Sequence, residues 1–158
     1  MPNLYEPPFE EREGAPDGFR GPRAWLGRDA GSRRLGLSLW ELPPGQAAYP
    51  YHYHLGDEEL LIVLEGEGRL RTPEGWRDLE RGEVLSFLPG EAGAHQLVAG
   101  NDAPLRFLAF SNSGDPDLTL YPDSGKLSAA VRRSGGFRKI FRLEDEADYY
   151  EGESPPAP

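Results

Sequence analysis

Residues 49–68 read YPYHYHLGDEELLIVLEGEG, and two of the chain's three histidines, His52 and His54, fall inside this stretch one residue apart. In an extended chain, residues i and i+2 project from the same face. The two imidazoles therefore point one way, while Tyr51 and Tyr53 point the other. Glu59 follows five residues after His54, beyond the turn LGDE, at the head of the apolar run ELLIVLEG. A neighbouring strand that returns there can present a carboxylate to the same point. Glu58 is the alternative, but a strand reverses face at every residue, so only one of the two can point inward. Counting back from the turn glycine Gly66 favours Glu59. Imidazole and carboxylate together suit a borderline divalent metal.

Working outward, the segment RRLGLSLWEL (33–42) alternates Leu35, Leu37 and Leu39 with smaller or polar residues, which is the period of a half-buried strand. Further short strands are expected in AYPYHYH (48–54), EELLIVLEG (58–66), GRLRTP (68–73), GWRDLE (75–80), EVLSFLP (83–89), AHQLVAG (94–100) and PLRFLAFS (104–111). Clusters of Gly, Pro, Asn and Asp separate them, and no helical period interrupts them. An all-β sandwich or barrel follows. Residues 1–32, with AWLG (24–27) as their apolar knot, read as an N-terminal arm that lays one strand on the body. Residues 33–111 read as the barrel. Residues 112–158 read as a C-terminal extension packing on or near it, with the end, SPPAP (154–158), disordered.

Composition narrows the function. A net charge of −10 opposes a phosphate backbone, so nucleic acid is excluded as a partner. No apolar run approaches the roughly 20 residues of a membrane helix, and no basic and apolar leader opens the chain, so a cytoplasmic protein is expected. Without cysteine there is no disulfide framework, thiol nucleophile or thiolate metal site. The segment YPDSGK (121–126) is not a phosphate loop, because Leu120 and Leu127 stand where glycine and Ser or Thr are needed. Residues 126–143 carry Lys126, Arg132, Arg133, Arg138, Lys139 and Arg142 with no acid, and Glu144, Asp145, Glu146, Asp148, Glu151 and Glu153 follow. These are read as two partly compensating charge blocks on a solvated surface, the sharper alternative being a patch for an anionic ligand.

Two longer segments, GQAAYPYHYHLGDEELLIVLEG (45–66) and GEVLSFLPGEAGAHQLVAGN (82–101), resemble the paired motifs of the cupin superfamily. The first matches in its HxH, its Glu and its final Gly. The second departs in its adjacent Pro89–Gly90 pair, in two extra residues before His95 and in a late Asn101. The resemblance implies a double-stranded β-helix, a jelly-roll barrel, with one divalent transition metal in its mouth. Its ligands would be His52, His54, Glu59 and His95, and Mn, Fe, Ni, Zn and Cu are all chemically admissible.

Alternation from Glu59 and His95 places Leu61, Val63 and Leu97 on the inward face, giving the site an apolar wall. Arg69, Arg71 and Arg106 are read as surface arginines, with an anchoring role for an anionic group as the sharper alternative. Tyr49, Tyr51 and Tyr53 are read as packing outward, and Trp40 and Trp76 as packing residues. The expected function is a metal-dependent enzyme acting on a small metabolite, of dioxygenase, isomerase or lyase type. The alternative is a non-catalytic module binding a sugar or organic acid, and no general base is evident. A homodimer is expected, because Tyr51, Tyr53, Leu60, Ile62 and Leu64 leave an apolar sheet face needing cover, the alternative being a monomer whose arm and C-terminal tail cover that face in cis.

Overall fold

The apolar run ELLIVLE becomes β4 (Glu59–Glu65), the strand around which the molecule is organised. The computed structural model describes residues 1–132 and 135–155; Arg133 of the basic run and the last three residues of the terminal SPPAP lie outside them. Before β4 come β1 (Arg23–Ala24), the one-turn helix α1 (Leu26–Asp29), β2 (Gly36–Leu42) and β3 (Tyr53–His54). After it come β5 (Gly68–Thr72), β6 (Gly75–Leu79), β7 (Val84–Phe87), β8 (Gln96–Ala99) and β9 (Leu105–Ser111). The chain continues through β10 (Asp117–Tyr121), β11 (Lys126–Ala130) and β12 (Arg138–Arg142). All pairings are antiparallel, in three sheets ordered β1-β2-β9-β4-β7, β12-β11-β10-β3 and β6-β5-β8. This is the all-β jelly roll anticipated above.

The core lies between the first and third sheets. Trp40, Leu42, Leu61, Val63, Leu85, Phe87, Leu105 and Phe107 face Leu70, Leu79, Leu97 and Ala99. Trp40 and Phe107 stack with centroids 6.0 Å apart. Each such buried side chain contributes about 1.5–3 kcal/mol of transfer free energy. Leu61, Val63 and Leu97 lie inside, at the positions alternation assigned to them. The opposite face of the first sheet is covered from within the chain. Leu64, Leu37 and Leu108 pack with Leu39, Ala24 and Leu26 and with Leu4 and Phe9 of the arm. Of the face expected to need cover, Leu64 is packed under the arm, Leu60 stays exposed, and Tyr51 is buried beneath Arg71, whose guanidinium lies 4.0 Å from its ring centre.

Two expectations for local structure require correction. Leu35 is exposed, because β2 begins only at Gly36, after the loop from α1. Residues 48–54 form no continuous strand. Pro50 has no N–H to donate to a ladder, and regular pairing starts only at Tyr53.

Gly66 closes the strand that carries Glu59, with φ +81°, and a Cβ there would drive into the carbonyl oxygen of Pro104. Gly66→Ala should therefore cost at least about 2 kcal/mol, combining left-handed strain with a backbone clash. Urea unfolding checks this; an unchanged midpoint would mean the turn adapts freely.

Candidate metal centre

The backbone brings His95 to His52 and His54 from a separate segment. His52 and His95 exchange both backbone hydrogen bonds, at 3.2 and 2.8 Å, in an isolated bridge that sets their ring centroids 4.7 Å apart. His54 belongs to β3 and pairs with Thr119 of β10, and its ring centroid lies 5.1 Å from that of His52. Glu59, the first residue of β4, turns inward, whereas Glu58 is exposed.

The Nδ1 atom of each ring is engaged. His52 Nδ1 lies 2.9 Å from Pro50 O, His95 Nδ1 3.0 Å from Gly93 O, and His54 Nδ1 2.7 Å from Asp117 Oδ2. Carbonyl and carboxylate oxygens only accept, so Nδ1 must carry the hydrogen, and each neutral ring presents Nε2 as a lone pair. Glu59 Oε2 lies 3.3 Å from His95 Nε2 and 3.7 Å from His54 Nε2. His52, His54 and Glu59 offer donor atoms within 4.8 Å of one another, and His95 joins them through Glu59. Four acceptors facing each other call for a positive centre between them, and this donor set fits a divalent transition metal.

The electrostatics agree. Burial above all, with the neighbouring imidazoles adding to it, lowers His52 to about 3, so it is uncharged at neutral pH. Burial alone would raise Glu59, but the favourable contact it would make with a protonated His95, and the positive charge the three rings would carry if protonated, hold it at about 2. Burial opposes protonation of His54 as well, yet its bond to Asp117 and the charge of Glu59 raise its pKa overall.

Behind His54 lies a polar support that sequence reading missed. Asp117 Oδ2 also takes Thr119 Oγ1 at 3.2 Å and Arg132 at 3.4 Å, and Arg132 reaches Asp57 Oδ2 at 3.0 Å. Asp57 is buried and also accepts from Gly114 N. His54, Asp57 and Asp117 form a second acid-rich group, but Arg132 supplies its positive charge. The signal for it was present, since Asp117, Thr119 and Tyr121 share one face of DLTLY. What the sequence lacked was any indication that β10 lies beside β3.

The cluster opens into a cavity of about 640 Å³. Trp40, Tyr49, Tyr121, Ala109 and Thr119 line it beside His52, His54 and Glu59, together with Arg23, Arg28, Arg33, Arg132 and Arg138. Tyr49 is therefore a wall residue rather than an outward one, and Trp40 serves core and cavity together. Phe87 stacks on His95 with centroids 3.8 Å apart. Arg69, Arg71 and Arg106 stay out of the cavity. Arg71 forms a two-pronged pair with Asp123, Arg106 meets Glu41 and Glu65, and Arg69 lies over Trp76. The basic run is not wholly a solvated block, since Arg132 and Arg138 reach the cavity.

A double-stranded β-helix with a histidine and glutamate cluster in its mouth defines the class. The cupin domain family matches residues 38–111, and the chain carries a cupin domain. A germin-like protein of Morus alba is 35% identical over 97 residues, which is 57% of this chain and 45% of that protein. The chain thus spans less than half the length of that relative. Among solved structures, a protein of Acidithiobacillus ferrooxidans provisionally named a sugar phosphate isomerase superposes with a TM-score of 0.78 at 25% identity, covering 92% of this chain and 91% of its own. A sugar phosphate isomerase of the cupin superfamily from Silicibacter pomeroyi gives 0.78 at 23% identity, covering 96% and 98%. Among the described residues, no helix is long and apolar enough to cross a membrane.

Replacing the inward carboxylate and its neighbour separates their roles. Glu59→Gln should lose metal affinity by at least about tenfold, since it removes the one anionic donor. Glu58→Gln should bind as the parent does. Competition with a chelator checks both, and loss confined to the Glu58 variant would reassign the ligand.

Proposed function

We propose that this protein is a metal-dependent enzyme that isomerises a small anionic metabolite, with a sugar phosphate as the substrate class. The single observation behind this reading is the acceptor-only cluster of His52, His54, Glu59 and His95, of which the first three line a cavity walled by arginines. These four residues would hold one divalent transition metal, Mn, Fe, Ni, Zn or Cu, leaving it a net charge of about +1. When bound, such an ion polarises a carbonyl or hydroxyl oxygen of the ligand. The chain's own groups do the rest. Burial raises Tyr121, so its phenol stays an O–H donor beside His52, 6.1 Å between ring centroids. Trp40 and Tyr49 exclude water from the inner end, and His52 stays neutral. Resemblance to the Acidithiobacillus protein supports the reaction type.

Elemental analysis of protein purified without added metal, followed by NMR of aldose and ketose phosphates incubated with it, tests the reading. Stoichiometric metal with interconversion is expected. Iron with turnover that requires dioxygen would favour the dioxygenase reading instead. Metal without turnover would favour a non-catalytic binding module. One observation supports that second reading: the cavity's carboxylates, Asp57, Glu59 and Asp115, are all engaged.

We also propose a homodimer, through a surface different from the one first expected. β12 is an open sheet edge, and Ile140 and Phe141 on its two faces are 58% and 50% exposed. Pairing of β12 with its copy about a two-fold axis closes both edges at once. Light scattering should give a dimer mass that Ile140→Lys/Phe141→Lys reduces to the monomer. A monomer at every concentration would reject the dimer.

A further inference from the structure

The chain is strongly acidic, yet five arginines line its cavity. Two have carboxylate partners there or at its rim. Arg28 pairs with Glu10 and Asp29, and Arg132 with Asp57 and Asp117. Arg23, Arg33 and Arg138 have no carboxylate within ion-pair reach among the described residues. Arg33 and Arg138 are exposed, so water compensates them. Arg23 is different.

Its guanidinium lies 3.4 Å from the centre of the Trp25 ring and 4.7 Å from that of Trp40. It donates to the hydroxyl of Tyr49, and its Nε is buried without a hydrogen-bond partner. Burial lowers its pKa, Tyr49 partly offsets this, and the positive charges of Arg12 and Arg138 lower it again. An arginine does not shed its proton, so a desolvated cation persists at the cavity wall beside two others. Aromatic faces offset such a charge only in part. The missing component is an anion.

We infer that Arg23 and Arg138 form a receptor for the anionic group, phosphate or carboxylate, of a small molecule that lies in the cavity with its other end toward the histidine cluster. This rests on the function proposed above for the presence of a ligand there, and it adds which end is held and by what. Guanidinium groups suit the task because their forked N–H geometry matches phosphate and carboxylate oxygens. The two arginines come from β1 and β12, on either side of residues 38–111. The arm and the C-terminal strands would thus supply recognition of the anion, while the cupin domain supplies the histidine cluster.

Calorimetric titration with inorganic phosphate, and in parallel with acetate, tests the receptor. It uses the parent protein, Arg23→Gln, Arg138→Gln and His52→Ala/His54→Ala, with near-UV circular dichroism to check each fold. Phosphate or acetate should bind the parent, and bind roughly 10- to 100-fold more weakly when either arginine is lost, with binding retained in the histidine variant. The tighter of the two anions identifies the group. Arg138 is exposed, so its variant keeps the test decisive even if Arg23→Gln does not fold. No binding of either anion to the parent, or equal affinity in Arg138→Gln, would overturn the receptor. Binding lost only in the histidine variant would place the anion at the metal, overturning the receptor while leaving the metal reading intact.

Discussion

With His52 and His54 both replaced by Ala, the protein is expected to hold no stoichiometric metal and still fold. The pair supplies two of the four converging donors, leaving Glu59 and His95, too few to retain a borderline ion against buffer. Neither histidine belongs to the apolar cluster of Trp40, Phe107 and their neighbours, so most of the folding free energy is untouched. Elemental analysis alongside circular dichroism reads both outcomes, and stoichiometric metal in the double variant would refute the assignment. Acid should mimic the substitution in the parent. The raised pKa of His54 makes protons compete for its Nε2 from above the ordinary histidine value, whereas His52 and Glu59 stay deprotonated down to about 3 and 2. Affinity should therefore fall as pH decreases through about 7 to 5, and a flat profile there would argue against histidine ligation. In the metal-free protein the signs differ. The contribution of His54 to stability is complete below the unfolded histidine value and is lost as pH rises through its folded value. Those of His52 and Glu59 are complete above their unfolded values and are lost as pH falls through the folded ones.

Asp117→Ala should have the second largest effect, although Asp117 is not a proposed ligand. The side chain is 1% exposed and accepts from His54 and Arg132, from the Thr119 hydroxyl and from the backbone N–H of Gly56. Truncation frees the His54 ring to rotate or change tautomer, which should weaken metal binding about 10- to 100-fold. It also leaves Arg132 with Asp57 as its remaining acidic side-chain partner in the buried group. We expect a stability loss of about 2–3 kcal/mol, less than for a fully buried pair because Arg132 is partly exposed. Asp117→Asn keeps an oxygen acceptor for His54 Nδ1 and should recover part of the affinity. Chelator competition and urea unfolding measure the two effects, and parent-like affinity in Asp117→Ala would remove its orienting role.

The sequence was most informative where its pattern was local and periodic. The alternation of ELLIVLE placed Leu61 and Val63 inward, and the spacing of His52, His54 and Glu59 was enough to group them before any pairing was known. The same reasoning failed for Tyr49 and Leu35. Alternation holds only while the strand lasts; Pro50 breaks it on one side of the histidines, and β2 starts one residue after Leu35. It also could not say which apolar face was already covered. Leu64 is satisfied by Leu4 and Phe9, some sixty residues earlier in the chain.

By itself, then, the sequence determined the strand-rich class, the inward residues of β4 and the histidine and glutamate types available for a metal. These follow from side-chain chemistry and a two-residue period that neighbouring residues impose on each other. Only the tertiary structure decided that β10 runs beside β3, so that Asp117 orients His54, and that β1 and β12 bring Arg23 and Arg138 to one cavity. Such pairings depend on which strand edges and faces remain open once the barrel has closed, and that is a property of the whole chain rather than of any segment.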